Sequence, residues 1–269
     1  MADALKIDKP VKLDALAIAA HPDDVEITCG GLLLRLLDKG YKTGILDLTR
    51  GEMGTHGNEA TRASEAAAAA KVLNLSYRGN AALPDSGLFN SQENRGVVSK
   101  VIRETQPELV ILPHWMQRHP DHLAASELGY DSCFLAGLKK AAVNGQLIAG
   151  EPHRPKKIIY ASYYREKEHS FLVDISEQFE RKCQAVAAYS SQFSTHTPMP
   201  TILASVFARS TRADTGGKPI FQNDVSIFDM LYSRGRSLGH TVNVTFAEAY
   251  TIKENILVDD PFVMPVRSI

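Results

Sequence analysis

The sequence predicts an α/β fold with a mostly parallel sheet, and three observations predict it. Residues 13–20 form a nearly continuous apolar run, the pattern of a strand buried on both faces. That run is followed by the helical segment LLLRLLDK and then by a second apolar run, KTGILDL. Together these make a βαβ unit, whose two strands are parallel with a right-handed crossover when they share a sheet. A later apolar run at 109–112 repeats the arrangement: like the first, it leads into a cluster of histidine and aspartate. In open parallel sheets, ligands bind outside the carboxyl ends of the strands, where both clusters are expected to lie.

In chain order, residues 1–12 are polar and peripheral. The strand at 13–20 delivers His21-Pro22-Asp23-Asp24, and the pair Gly30-Gly31 leads into a helix over 31–39 that Gly40 stops. A second strand spans 42–48. The glycine-rich loop TRGEMGTHGN covers 49–58, where Glu52 either touches a substrate or fixes the loop. An alanine-rich helix over 61–74, a short strand at 75–79 and a loop opened by Leu83-Pro84-Asp85 follow. A helix over 94–105 carries Val97, Val98, Val101 and Ile102 on one face and is closed by Pro107; the buried strand at 109–112 then delivers Pro113, His114 and the second cluster, His119-Pro120-Asp121-His122.

The Ala- and Leu-rich stretch 123–142 is expected to be one long helix, and glycine and proline between 145 and 155 mark a surface connection. Residues 158–163 and 171–175 read as strands, as a possible pair. Residues 176–188 read as a helix with Ser176 as N-cap. A hydroxyl-rich loop covers 189–200, in which Tyr189 and Gln192 read as anchors rather than pocket residues. Apolar runs at 202–207 and 227–231 flank a polar excursion at 209–219, and residues 246–250 form a last short strand. No repeat or linker divides the chain, so residues 1–269 are expected to be one domain.

Composition narrows the function classes. The chain has 269 residues, 44% hydrophobic and 23% charged, with a formal net charge of -1. Such a balance offers no electrostatic footprint for nucleic acid or a membrane surface. The three cysteines, Cys29, Cys133 and Cys183, are widely spaced without a C-x-x-C, which suggests reduced, buried thiols rather than a disulfide framework or thiolate zinc site. No long apolar leader or spanning segment is evident, so the expected location is the cytoplasm.

The clusters point to metal chemistry. His21, Asp24 and His122 are suitable ligands for a catalytic zinc, which takes three protein ligands and leaves a position open. Two imidazoles with one carboxylate suit zinc, or iron(II) as the facial-triad alternative, better than magnesium or calcium. Asp23 is left outside this set as a general base for water. His119 can stabilise an oxyanion or protonate a leaving group, with Asp121 orienting its ring. Either cluster alone would more often be a turn or a helix cap; the pairing of both with strand ends favours a site. His56, His153, His169, His196 and His240 lack partnered motifs and read as surface or structural. A nucleotide-binding oxidoreductase is disfavoured, because the first loop lacks G-x-G-x-x-G and places acids where a pyrophosphate needs backbone N–H groups.

These motifs in combination resemble the LmbE/PIG-L family of zinc-dependent N-deacetylases. AHPDDVE, Gly30-Gly31, TRGEMGTHGN, Thr61-Arg62 to Glu65, Leu83-Pro84-Asp85, RHPDH, FLVDIS and AYSSQF carry the resemblance, with a weaker trace from RGRSLG to TFAEAY; it covers most of the chain. The excursion at 209–219 and Met116-Gln117 depart from the pattern. The resemblance implies a Rossmann-like three-layer fold and the ligand set His21, Asp24 and His122. It also implies Asp23 as base, His119 as oxyanion-side histidine with partner Asp121, and Arg62 as a substrate-binding arginine suited to a carboxylate. Within the family, TRGEMGTHG and SSQF are most similar to the bacillithiol-pathway enzymes that deacetylate N-acetylglucosaminyl malate. The expected partner is therefore an N-acetylated amino-sugar conjugate, handled by a homo-oligomer, a hexamer being the form suggested. The alternatives are a non-catalytic sugar- or metal-binding member of the same fold and a deacetylase of other N-acetylglucosamine conjugates.

Overall fold

The computed structural model describes residues 11–162, 168–193, 227–260 and 262. The strands are β1 (Ala15–Ala19), β2 (Thr43–Thr49), β3 (Tyr77–Leu83), β4 (Leu109–Pro113), β5 (Ala142–Val143), β6 (Gln146–Leu147), β7 (Lys157–Ala161), β8 (Phe171–Asp174) and β9 (Ala247–Thr251). The helices are α1 (Asp24–Asp38), α2 (Glu59–Leu73), α3 (Gln92–Thr105), α4 (Pro120–Ala136), α5 (Phe179–Ala187) and α6 (Ile227–Thr241). Seven strands form one sheet in the order β3-β2-β1-β4-β7-β9-β8. The five from β3 to β7 are parallel, and β9 runs antiparallel to both its neighbours.

Side-chain alternation builds the layers. Leu16 and Ile18 of β1 join Leu46, Leu48, Val110 and Leu112 in a core against Val98, Val101, Ile102 and Leu128 of α3 and α4. Ala17 and Ala19 turn the other way, into a core with Val25, Leu33, Ile45, Leu73, Ile111 and Ala185, under α1, α2 and α5. Both faces of the central strands are thereby buried, which explains why their sequences are apolar without alternation. The three-layer α/β expectation holds.

Several local expectations need correction. Helix α1 begins at Asp24, not at 31, and the glycine pair lies inside it. Cys29 (φ -140°, ψ 16°) interrupts the helix, and the N–H groups of Gly31 and Leu32 donate to Glu248 Oε1 and Oε2 at 2.9 and 2.7 Å. A Cβ on Gly31 would lie 2.8 Å from Glu248 Oε1 and from Ile175, so close approach, rather than helix initiation, requires glycine there. Lys182 Nζ and Tyr250 Oη complete the carboxylate's partners at 2.5 and 2.7 Å.

Helix α4 starts on the second cluster and stops at Ala136. The buried Arg103 guanidinium collects the carbonyls of Ala136, Leu138 and Ile148, and the chain turns into a two-strand hairpin at Asn144-Gly145, both with positive φ (49° and 78°). Strands β7 and β8 are not paired with each other, because β9 inserts between them. Ser176 is not an N-cap: its hydroxyl donates to Asp174 Oδ1 and accepts from the N–H groups of Thr245 and Phe246, and α5 starts at Phe179. The run at 227–231 opens α6; the run at 202–207, the excursion at 209–219 and His196 lie outside the described residues. All three cysteines are buried and free, and no helix among the described residues is long and apolar enough to cross a membrane.

Candidate metal centre

Strands β1 and β4 are direct neighbours in register, Ala15 beside Leu109 and Ala17 beside Ile111. Their carboxyl ends therefore emerge side by side, and the two clusters meet. On the first, His21 N–H donates to Asp24 Oδ2 at 2.9 Å, folding the carboxylate back over the turn at the start of α1. On the second, His119 occupies the N-cap of α4 and Pro120 its first turn, where proline's missing N–H costs nothing. His122 is thereby presented from the helix's exposed end.

Asp24 lies between two imidazoles. Its Oδ2 is 3.3 Å from His21 Nδ1 and its Oδ1 3.2 Å from His122 Nε2. Donor atoms of His21, Asp24 and His122 all fall within 4.8 Å of one another, a geometry able to hold a cation. This is the set expected from the sequence, and two nitrogen donors with one carboxylate fit a zinc-type ion with an open position.

The charges reinforce one another. Burial opposes protonation of His21, but the carboxylates of Asp24, Asp85 and Asp23 outweigh it and raise its pKa to about 9. Burial pushes Asp24 up, yet His122 and His21 hold it well below the usual carboxylate range. Asp23 goes the other way: burial and then the Asp24 charge raise it, while Arg62 opposes. Its backbone sits at φ 112°, ψ -29°, a conformation that L residues rarely adopt.

Arg62, expected at the substrate, is turned inward. It is 3% exposed; Nη2 donates to the Pro22 carbonyl and lies 3.4 Å from Asp23 Oδ2, and Gly51 covers the guanidinium. The contacts made here are to the first cluster itself.

His119 and Asp121 are joined, but through the backbone: His119 Nδ1 accepts from Asp121 N–H at 3.2 Å. The Asp121 carboxylate instead accepts from Ser86 N–H at 2.7 Å and lies 3.4 Å from His21 Nε2. With Nδ1 accepting, the ring proton of neutral His119 resides on Nε2. Burial and the neighbouring His21 and His122 lower its pKa, which favours that neutral donor form.

Four site residues escaped the sequence reading as such. Asp85, two residues past β3, places Oδ1 3.1 Å from His21 Nε2; the strand expected at 75–79 stops too early to set it at a strand end. Glu26, Asp47 and Arg78 form a buried network beneath the first loop: Arg78 bonds Glu26 at 2.5 Å and Asp47 twice at 3.0 Å, and Tyr189 Oη donates to Glu26 at 2.9 Å. Tyr189 is therefore an anchor. Gln192, donating to the His56 carbonyl, is one too, and Glu52 fixes its loop by accepting from the N–H groups of Arg50 and Asp85.

The model of the PIG-L family, described as GlcNAc-PI de-N-acetylase, matches residues 16–133, which take in both clusters. The chain is 34% identical over 201 residues to diacetylchitobiose deacetylase of Thermococcus kodakarensis, covering 70% of this chain and 74% of that protein. It is 29% identical over 196 residues to 1D-myo-inositol 2-acetamido-2-deoxy-alpha-D-glucopyranoside deacetylase of Rhodococcus erythropolis, covering 60% of this chain and 65% of the relative. Among solved structures, a conserved protein of Thermus thermophilus aligns with a TM-score of 0.74 at 36% identity, covering 94% of this chain and 99% of that one.

Proposed function

The chain belongs to the PIG-L family, and from that premise we propose that it is a metal-dependent hydrolase removing the N-acetyl group from an N-acetylglucosamine-containing small molecule. The observation that carries the proposal is the meeting of His21, Asp24 and His122 around one point, with Asp23 beside them and outside the donor set. Residues 1–269 are read as one domain devoted to this reaction.

His21, Asp24 and His122 would hold the ion. Once bound, a zinc or iron(II) ion there supplies Lewis acidity toward the amide carbonyl and water. The chain's own groups do the rest. Asp23, whose burial strengthens it as a base, takes a proton from the attacking water and returns it to the departing amine nitrogen. His119 offers Nε2–H to the oxygen that gains charge in the tetrahedral intermediate. Arg62 holds Pro22 and Asp23 from behind, so its influence on substrate is exerted through the base. Acetate and a free amine leave.

The finer assignment is N-acetylglucosaminyl malate, in bacillithiol biosynthesis, on the strength of the TRGEMGTHG and SSQF segments. The relative acting on an inositol glucosaminide supports an aglycone at the anomeric carbon. The proposal further places the reaction in the cytoplasm and in a homo-oligomer, the latter readable by light scattering.

Metal analysis with acetate release from N-acetylglucosaminyl malate, diacetylchitobiose and simple N-acetylglucosamine compounds tests the reading. A bound zinc-type ion with fastest release from the malate conjugate is expected. Equal turnover of all substrates removes the malate assignment, and absence of acetate release from any of them removes the hydrolase.

A further inference from the structure

The third strand-end loop reaches the metal centre, and the contact is with the far side of a proposed ligand. His21 presents Nδ1 to Asp24 and, across the ring, Nε2 to Asp85 Oδ1 at 3.1 Å. Asp85 is itself clamped. Its Oδ2 accepts from Met53 N–H at 2.8 Å, and its own N–H donates to Glu52 Oε1 at 2.9 Å. Glu52 Oε2 in turn accepts from Arg50 N–H at 3.1 Å. The glycine-rich loop after β2 thus grips the loop after β3, which grips His21. The Asp85 side chain is only 5% exposed, so the bond is sheltered from water.

From this geometry we infer that Asp85 is the positioning residue that fixes the ring orientation and tautomer of His21, keeping the proton on Nε2 and leaving Nδ1 free to coordinate. The inference rests on the metal-site reading above. An imidazole ligand needs a deprotonated donor atom aimed at the ion. A carboxylate accepting the other N–H supplies both the tautomer and the aim, and makes the donor nitrogen more basic. Asp121 Oδ2 also lies near Nε2, at 3.4 Å, but it is committed to Ser86 N–H. Asp85 is the closer of the two acceptors.

Three readouts test the inference with the full chain. Zn2+ affinity is measured by chelator competition for wild type, Asp85→Ala and Asp85→Asn; the protonated ring nitrogen of His21 is read on the Zn2+-loaded protein by long-range 15N–1H correlation; and metal-free melting controls for folding. Asp85→Ala is expected to weaken Zn2+ binding roughly 10- to 100-fold and to lose the defined Nε2–H signal, while the metal-free protein still melts cooperatively. Asp85→Asn, whose single amide oxygen can accept from Nε2–H or from Met53 N–H but not from both, is expected to recover only part of the affinity. Wild-type Zn2+ binding with unchanged affinity in Asp85→Ala overturns the inference. So does an Nε2–H signal that persists unchanged in Zn2+-loaded Asp85→Ala. Failure of the wild type to bind Zn2+ is the distinct outcome that overturns the metal-site reading first and this inference with it.

Discussion

Arg62 Nη2 lies 3.4 Å from Asp23 Oδ2, both side chains being largely buried, so a guanidinium inside the fold holds the proposed base in place. Arg62→Met leaves that carboxylate without its counter-charge. The expected cost is about 3–5 kcal/mol of stability, the range for breaking one partner out of a buried pair, with turnover reduced further than metal content. Denaturant melts and acetate release check this; an Arg62→Met protein as stable as wild type would show the pair to be idle.

Asp23→Asn keeps the shape of the side chain and removes its basicity. The variant is expected to bind metal as wild type does and to lose about 10²- to 10⁴-fold in turnover. Metal stoichiometry and turnover are read on the same preparation, and full activity would exclude Asp23 from proton transfer.

The metal-free protein has a pH dependence set by His21. The folded state holds this proton to about pH 9, whereas the ordinary value for the free side chain is 6.5. Between these limits the native state binds more protons than the unfolded one. The stabilisation is complete below 6.5 and disappears as pH rises through 9, at most about 3 kcal/mol in all. Melts in chelator from about pH 6 to about pH 9.5 should show the decline, and Asp24→Asn should flatten it. Because an ion competes for the same ring, its affinity should tighten across that window.

The break in α1 makes a prediction remote from the chemistry. Glu248 serves two helix N–H groups, Lys182 and Tyr250. Glu248→Gln strands the buried ammonium and should cost about 3–5 kcal/mol. Gly31→Ala drives a methyl into Glu248 and Ile175 at 2.8 Å and should cost about 1–3 kcal/mol. Melting temperatures decide both, and a neutral Gly31→Ala would mean the neighbours yield.

The central sheet and the meeting of the two His/Asp clusters were legible because their signals are local: an apolar run, then His and Asp at the strand's end. What was not legible depended on partners distant in sequence. Gly31 reads as a helix start until Glu248, 217 residues further on, supplies its hydrogen-bond acceptor. Strands β7 and β8 read as a hairpin because nothing between them announces that β9, from late in the chain, will separate them. Nothing near Arg62 in the sequence announces its partners; only the fold brings Pro22 and Asp23 against it. The end of α4 could have been read more closely, since Asn144-Gly145 is a strong hairpin signal.

The direct pairing of β1 with β4 has a kinetic consequence. The whole stretch holding α1, α2 and α3 lies between them in the chain, so the two halves of the ion's cradle come together only once most of the sheet is assembled. An ion seated there is a brake on opening rather than a template for folding. With free ion at about 1000 times its Kd, unfolding should slow by up to about 1000-fold while the refolding rate stays the same as in chelator.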